Sequence, residues 1–202
     1  MKKEKGVFSR ALILFLIMMV VCGLIYTLAI TGIAQVFFGK KANGSIIEVN
    51  GVKYGSQLLA QQFNDEEHMW GRIMNIDVDT YKDDEGNILM YSSASNKSPA
   101  GEEFEEAVAQ RVSMIKEANP DAKEEAIPVE LVTVSGSGLD PHISPAAAEY
   151  QVPRLAKAND MTEDQVREVI KKYTNGKLFG ILGENTVNVL EVNLALDGIL
   201  AE

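Results

Sequence analysis

Residues 11–38 read ALILFLIMMVVCGLIYTLAITGIAQVFF, without one Asp, Glu, Lys, Arg or His. At 1.5 Å per residue this run makes a helix of roughly 42 Å, and the hydrocarbon core of a bilayer needs only about 20 such residues. The stretch therefore predicts a single N-terminal transmembrane helix, with length to spare for tilt. It is far longer than the apolar run of about 7–15 residues in a signal peptide. Gly32-Ile33-Ala34 has a cleavage-like spacing, which the length outweighs, and Val21 stands where a lipoprotein signal wants a small residue before Cys22.

Working outward, the chain divides by charge. Lys2, Lys3, Lys5, Arg10, Lys40 and Lys41 face Glu4 alone in residues 1–41, whereas residues 42–202 carry 28 acids against 13 basic residues. The positive-inside bias puts residues 1–10 in the cytoplasm, residues 11–38 in the membrane and residues 39–202 outside as one domain. So acidic a body is a poor match for nucleic acid, whose recognition runs on Lys and Arg. One cysteine, Cys22, and two histidines, His68 and His142, supply neither a disulfide framework nor a Cys/His zinc cluster. Within the span, Gly23, Thr27, Thr31 and Gln35 recur every four residues, the pattern of a helix face that packs on another helix.

The body reads as an α+β (or α/β) domain with a small sheet. Ile46–Val49 and Val52–Tyr54 flank Asn50-Gly51, a strong hairpin signal. Ser98-Pro99 predicts the start of a helix that carries Phe104, Val108, Arg111 and Ile115 and stops at Asn119-Pro120. Val129–Val134 alternates and is β-branched, which predicts a strand. Ser144-Pro145 opens a helix to about Ala158, with Ala148, Val152 and Leu155 inward. Thr162 and Gln165 form a capping box for the next helix, whose stripe is Val166, Val169, Ile170 and Tyr173. Asn188 with Glu191 predicts a last helix to Leu200, against a competing strand pattern at Val187, Val189 and Val192.

For chemistry, the chain has neither a G-x-x-x-x-G-K-[ST] loop nor a G-x-S-x-G elbow. The most suggestive segment is Ser135-Gly136-Ser137-Gly138-Leu139-Asp140, a glycine-rich link from a predicted strand to a helix start. Such a loop can cradle an anion or simply connect two elements. His142 reads equally as a structural hydrogen-bonding residue or a functional one, Arg154 as half of a surface ion pair with Glu149 or Asp140, and Trp70 as a core or interface aromatic.

Longer motifs then identify relatives. Gly55-Ser56-Gln57-Leu58-Leu59-Ala60-Gln61-Gln62-Phe63, Ile127-Pro128-Val129-Glu130-Leu131-Val132-Thr133, Ser144-Pro145-Ala146-Ala147-Ala148-Glu149-Tyr150-Gln151-Val152-Pro153-Arg154 and Val187–Asp197 closely resemble the C-subunit family of the Kdp potassium-transporting P-type ATPases. The likeness covers nearly the whole chain and departs between Ile73 and Pro99. It implies a non-catalytic accessory subunit in the cell membrane, needed for assembly and described in the family as a catalytic chaperone that raises the ATPase subunit's affinity for ATP. The implied partners are that ATPase subunit, a channel-like subunit carrying potassium, and a small single-span subunit. This chain has neither the D-K-T-G-T sequence of the former nor the T-V-G-Y-G filter of the latter.

By the same resemblance, Gln151, Ser135, Ser137 and Asp140 are the nucleotide-contact candidates, with ATP the implied ligand. The charge-derived topology puts them across the membrane from cytoplasmic ATP, so ATP effects are expected to travel through the complex. No catalytic or metal-ligating set is expected. The alternative reading is an independent membrane-anchored extracytoplasmic binding or sensor domain.

Overall fold

The computed structural model describes residues 5–78, 80–122 and 125–200, and divides between Ser45 and Ile46 into two compact units. Lys2, Lys3 and Glu4, on which the orientation argument draws, lie outside the described residues. Among these residues one helix, Gly6–Ala42, is long and apolar enough to cross a membrane. It comprises α1 (Lys5–Met18), a π-helical stretch (Met19–Tyr26) and α2 (Thr27–Ala42), with a non-helical residue at Phe38.

The π-helical stretch alters the proposed packing face. Gly23 lies inside it, so the step from Gly23 to Thr27 does not follow the 3.6-residue period. The Thr27 hydroxyl reaches back five residues to the Cys22 carbonyl at 3.3 Å. Gln35 and Asn43 exchange amide hydrogen bonds of 3.3 and 3.0 Å, so the Gln35 amide is already engaged within its own helix. Thr31 keeps α-helical spacing.

The unit from Ile46 onward is α+β, as expected. β1 (Ile46–Val49) and β2 (Val52–Ser56) form the expected antiparallel hairpin, with Asn50 at φ 53° and Gly51 at φ 80° in the turn that Asn-Gly favours. β3 (Ile76–Asp77) pairs with β4 (Tyr91–Ser92). α3 runs Glu102–Ala118, later than expected: Ser98-Pro99 makes a turn, and Gly101 is the N-cap. Three glutamates in its first turn suit the positive end of the helix dipole.

Val129–Val134 is not a strand. Val129–Leu131 is a 3₁₀ turn after Pro128, and Val134 makes only a bridge to Ile73. Adjacent Leu131 and Val132 are both buried, which a strand with one inward face cannot achieve, and the Thr133 hydroxyl donates back to the Val129 carbonyl at 2.9 Å.

The helix expected through Ala158 is two. α4 (Pro145–Glu149) begins with Ser144 accepting from the Ala147 N–H, and α5 (Val152–Ala158) follows a break at Tyr150-Gln151. Pro153 causes this, because its ring would collide with the carbonyl of the residue four before it, Glu149. α6 (Glu163–Lys172) has the complete Thr162/Gln165 capping box.

β5 (His142–Ile143), β6 (Thr174–Asn175) and β7 (Thr186–Asn188) form a sheet in the order β5-β7-β6, antiparallel throughout. α7 (Val189–Leu196) starts at once after β7, so the helix forms but ends short of Leu200, and of the competing strand pattern only Val187 lies in a strand. Asn188 caps α7, but the Glu191 carboxylate accepts from Gln57 and not from the Asn188 N–H, leaving a half-box. The core gathers Met69, Ile115, Leu131, Leu155, Val166 and Val192, all fully buried, from loops and helices across the unit.

Candidate functional site

The break between α4 and α5 places Gln151 in the core, fully buried. Its Oε1 accepts from the Trp70 N–H and from Arg154, each at 2.8 Å, and its Nε2 donates to the carbonyls of Trp70 (3.0 Å) and Ala147 (3.1 Å). One amide thus takes both backbone groups of Trp70, as a neighbouring strand would. Asn193 on α7 does the same for Met69, accepting its N–H at 2.7 Å and donating to its carbonyl at 3.0 Å. Two amides pin two consecutive residues of a segment that has no strand partner.

Arg154 completes this node. It donates to Asn119 Oδ1 at 3.1 Å and to the carbonyls of Asp65, Glu66 and His68. Neither Glu149 nor Asp140 is its partner; Glu149 pairs with Arg167, and Asp140 with Arg72. Burial pushes the Arg154 guanidinium down to about 10, against the pull of Asp65, Glu66 and Glu67. Arg111, also lowered by burial, donates to the carbonyls of Leu131 and Gly71. Both guanidinium groups pack on Trp70, 5.1 and 5.2 Å from its ring centre. Trp70 is thus a core aromatic, with its indole N–H donated to the Asp65 carbonyl at 2.7 Å.

The glycine-rich loop is a separate place. Ser135 and Ser137 Oγ atoms lie 3.3 Å apart and accept from the N–H groups of Asp140 (3.4 Å) and Leu139 (3.1 Å). Gly138 sits at φ 73° against the segment that departs from the family pattern: a Cβ there would strike the Ser93 carbonyl and come within 2.8 Å of the Asn75 carbonyl. Its own carbonyl accepts from the Asn75 N–H at 3.0 Å. The structure therefore brings Ser135, Ser137 and Asp140 together, whereas Gln151 shares no hydrogen bond with them among the described residues.

Beside this loop lies a cleft of about 350 Å³ lined by Arg72, Glu130, Asp140, His142, Ser144 and Glu184 among others. Arg72 is 3.7 Å from Asp140, and the Glu130 carboxylate already accepts from the Ser144 N–H at the head of α4. Three carboxylates against one arginine make the cleft unfavourable for a phosphate group at neutral pH. His142 donates its N–H to Asp140 and approaches Asn188 at 3.5 Å through its ring. Among the described residues, no group of three His, Cys, Asp or Glu side chains could hold a metal ion.

An apolar groove of about 410 Å³ opens elsewhere, between Leu59 and Ala60 on one side and Met74, Ile76, Met90 and Tyr91 on the other. Met90 is 78% exposed, and Leu59, Ile88, Leu89 and Tyr91 are exposed as well. Half of the groove's lining comes from residues 74–92, part of the stretch where the family likeness departs. Its apolar residues have no helical or strand period, so only the folded loop gathers them.

A family model described as the c chain of the K+-transporting ATPase, KdpC, matches residues 8–198. The potassium-transporting ATPase KdpC subunit of Clostridium botulinum (strain Eklund 17B / Type B) is 64% identical over 200 residues, covering 99% of this chain and 100% of the relative. That of Clostridium perfringens (strain ATCC 13124) is 57% identical over 196 residues, with 97% and 99% coverage. That of Clostridioides difficile (strain 630) is 43% identical over 199 residues, with 94% and 96% coverage. A match of this length and identity, on a helix able to span a membrane followed by an α+β domain, means that the chain belongs to the KdpC family, the c chains of K+-transporting ATPases.

Proposed function

We propose that this chain is a non-catalytic accessory subunit of an ATP-driven potassium uptake complex, anchored in the cell membrane by its one span. Its role in that reading is assembly and an increase in the ATPase subunit's affinity for ATP. The observation that carries it is the apolar groove on a domain of a family named for an ATPase complex: Met90 and its neighbours expose the kind of apolar surface that a protein partner covers. The ATPase and channel-like subunits are the partners proposed, with a small single-span subunit beside them.

The topology that goes with this reading has the N-terminus in the cytoplasm and the acidic domain outside. There the surplus of acids raises local cation concentration near the potassium entrance, an effect that salt screens over a Debye length of about 8 Å. Gln151, Ser135, Ser137 and Asp140 act on nucleotide affinity indirectly in this scheme: Gln151 by holding Trp70, and the loop residues by shaping the surface next to Asn75 and Ser93.

The test is affinity purification of the tagged chain in mild detergent, followed by ATPase assays of the recovered complex. Two large membrane subunits should co-purify, and the groove variant Met90→Asp should reduce their recovery and raise the KM for ATP. Recovery of the wild-type chain alone would refute the proposal.

A further inference from the structure

The loop between β6 and β7 closes on itself and turns its apolar side chains outward. Leu178 and Leu182 exchange backbone hydrogen bonds of 2.8 and 3.0 Å, and the N–H groups of Gly180 and Ile181 return to the carbonyls of Lys177 and Leu178. Despite this internal order, Leu178, Phe179, Ile181 and Leu182 are 62, 85, 78 and 57% exposed. Phe179 also holds a left-handed backbone at φ 54°, which is costly for a bulky residue, while its ring gains almost no contact with its own domain. A rigid tip with four large apolar side chains outward and these backbone groups already paired suits insertion into an apolar phase, where an unpaired N–H or C=O is expensive.

Charge identifies the phase. From Val169 to Gly183 there are three lysines (Lys171, Lys172, Lys177) and no acid, in a body where acids outnumber basic residues 28 to 13. Lys177 pairs with Glu184 at 3.2 Å, whereas Lys171 and Lys172 at the end of α6, with Glu168 one turn before them, make no ion pair among the described residues. Apolar tips flanked by lysine are built for anionic lipid headgroups, whereas the remaining acidic surface is repelled by them. Only Asn43, Gly44 and Ser45 separate α2 from β1, a leash of roughly 10 Å at full extension, so a bilayer that holds the span stays within reach of the domain.

We propose that the Leu178–Leu182 tip is a second, peripheral membrane contact, which inserts among anionic phospholipids while Lys171 and Lys172 meet their headgroups. It would fix the tilt of the domain on the membrane, on whichever side the domain lies, and does not rest on the accessory role.

The test uses the full chain carrying Cys22→Ser, reconstituted in vesicles of phosphatidylglycerol and phosphatidylcholine or of phosphatidylcholine alone. A spin label is placed at Ile181→Cys, or at Glu85→Cys as a control in an exposed polar loop. In the anionic vesicles, the label at position 181 should collide with oxygen in preference to a water-soluble nickel chelate by several-fold more than the label at 85. That preference should fall in phosphatidylcholine and in Lys171→Gln/Lys172→Gln, with unchanged Trp70 emission as the check on folding. Equal accessibility at both positions would overturn the proposal, and so would insertion indifferent to lipid charge and to the lysines. A label that stays hydrated until partner subunits are added would assign the tip to a protein interface and overturn it as well.

Discussion

Replacing Gln151 by leucine keeps most of the side-chain volume and removes both polar atoms that hold the Trp70 backbone. The Trp70 N–H and carbonyl then lose their partners at 2.8 and 3.0 Å inside a site where Gln151 is fully buried. An orphaned buried polar group costs about 1–3 kcal/mol, so two cost about 2–6 kcal/mol, against about 5–15 kcal/mol for a whole domain. Arg154 adds less, because Asn119 and three carbonyls still hold it. The expected loss is about 4 kcal/mol. Trp70 is the only tryptophan, so its emission reports the domain and not the span, and a urea titration of the full chain in mild detergent follows it directly. Asn193→Leu, which orphans the same groups of adjacent Met69, should cost a similar amount, and the double variant should cost less than the sum, since either change alone frees the segment. A Gln151→Leu chain that unfolds within about 1 kcal/mol of the parent would refute the keystone role.

Two further outcomes are expected. Gly138→Ala forces a Cβ into the Ser93 and Asn75 carbonyls at positive φ and should cost more than about 1 kcal/mol, whereas Gly136→Ala, with nothing within 4 Å, should stay within about 0.5 kcal/mol in the same titration. Burial tends to raise the Asp65 carboxyl, but the hydrogen bond and positive charge of His68 outweigh it and hold Asp65 below its ordinary 3.8. The stability this contributes is present above pH 3.8 and lost as pH falls through the lower folded value. Urea midpoints of wild type and Asp65→Asn, measured from pH 6 down to 2, should therefore converge at the acid end; a constant gap would refute the assignment.

What could be read from the sequence was local. Asn50-Gly51 and Thr162 with Gln165 each specify their turn or cap through neighbours within a few residues, and both stand as read. Pro153 carried equally local information, the clash with Glu149, but the apolar run Ala148, Val152, Leu155 masked it by staying in phase across the break. Val129–Val134 misled because β-branched alternation is a weak preference that the burial of adjacent Leu131 and Val132 overrides. The polar node was out of reach altogether. Gln151 finds Trp70 81 positions away and Asn193 finds Met69 124 away, with no period or motif to link them. The groove at Met90 failed to register for a related reason, since its apolar residues lie in a stretch whose hydropathy averages out.

The clamp of Asn193 on Met69 has a consequence for how the chain is made. Residues 57–70 are fastened in two stages along the chain: Gln151 and Arg154 hold Asp65, Glu66, His68 and Trp70, and Glu191, Asn193 and Asp197 hold Gln57, His68 and Met69. The long apolar helix Gly6–Ala42 is therefore made long before the core of the nascent polypeptide can close. It waits unfinished and protease-sensitive until α7 arrives and its side chains complete the core. A stop codon placed before Glu191 should therefore leave Met69 without its clamp and the core without Val192, a chain for quality control to clear.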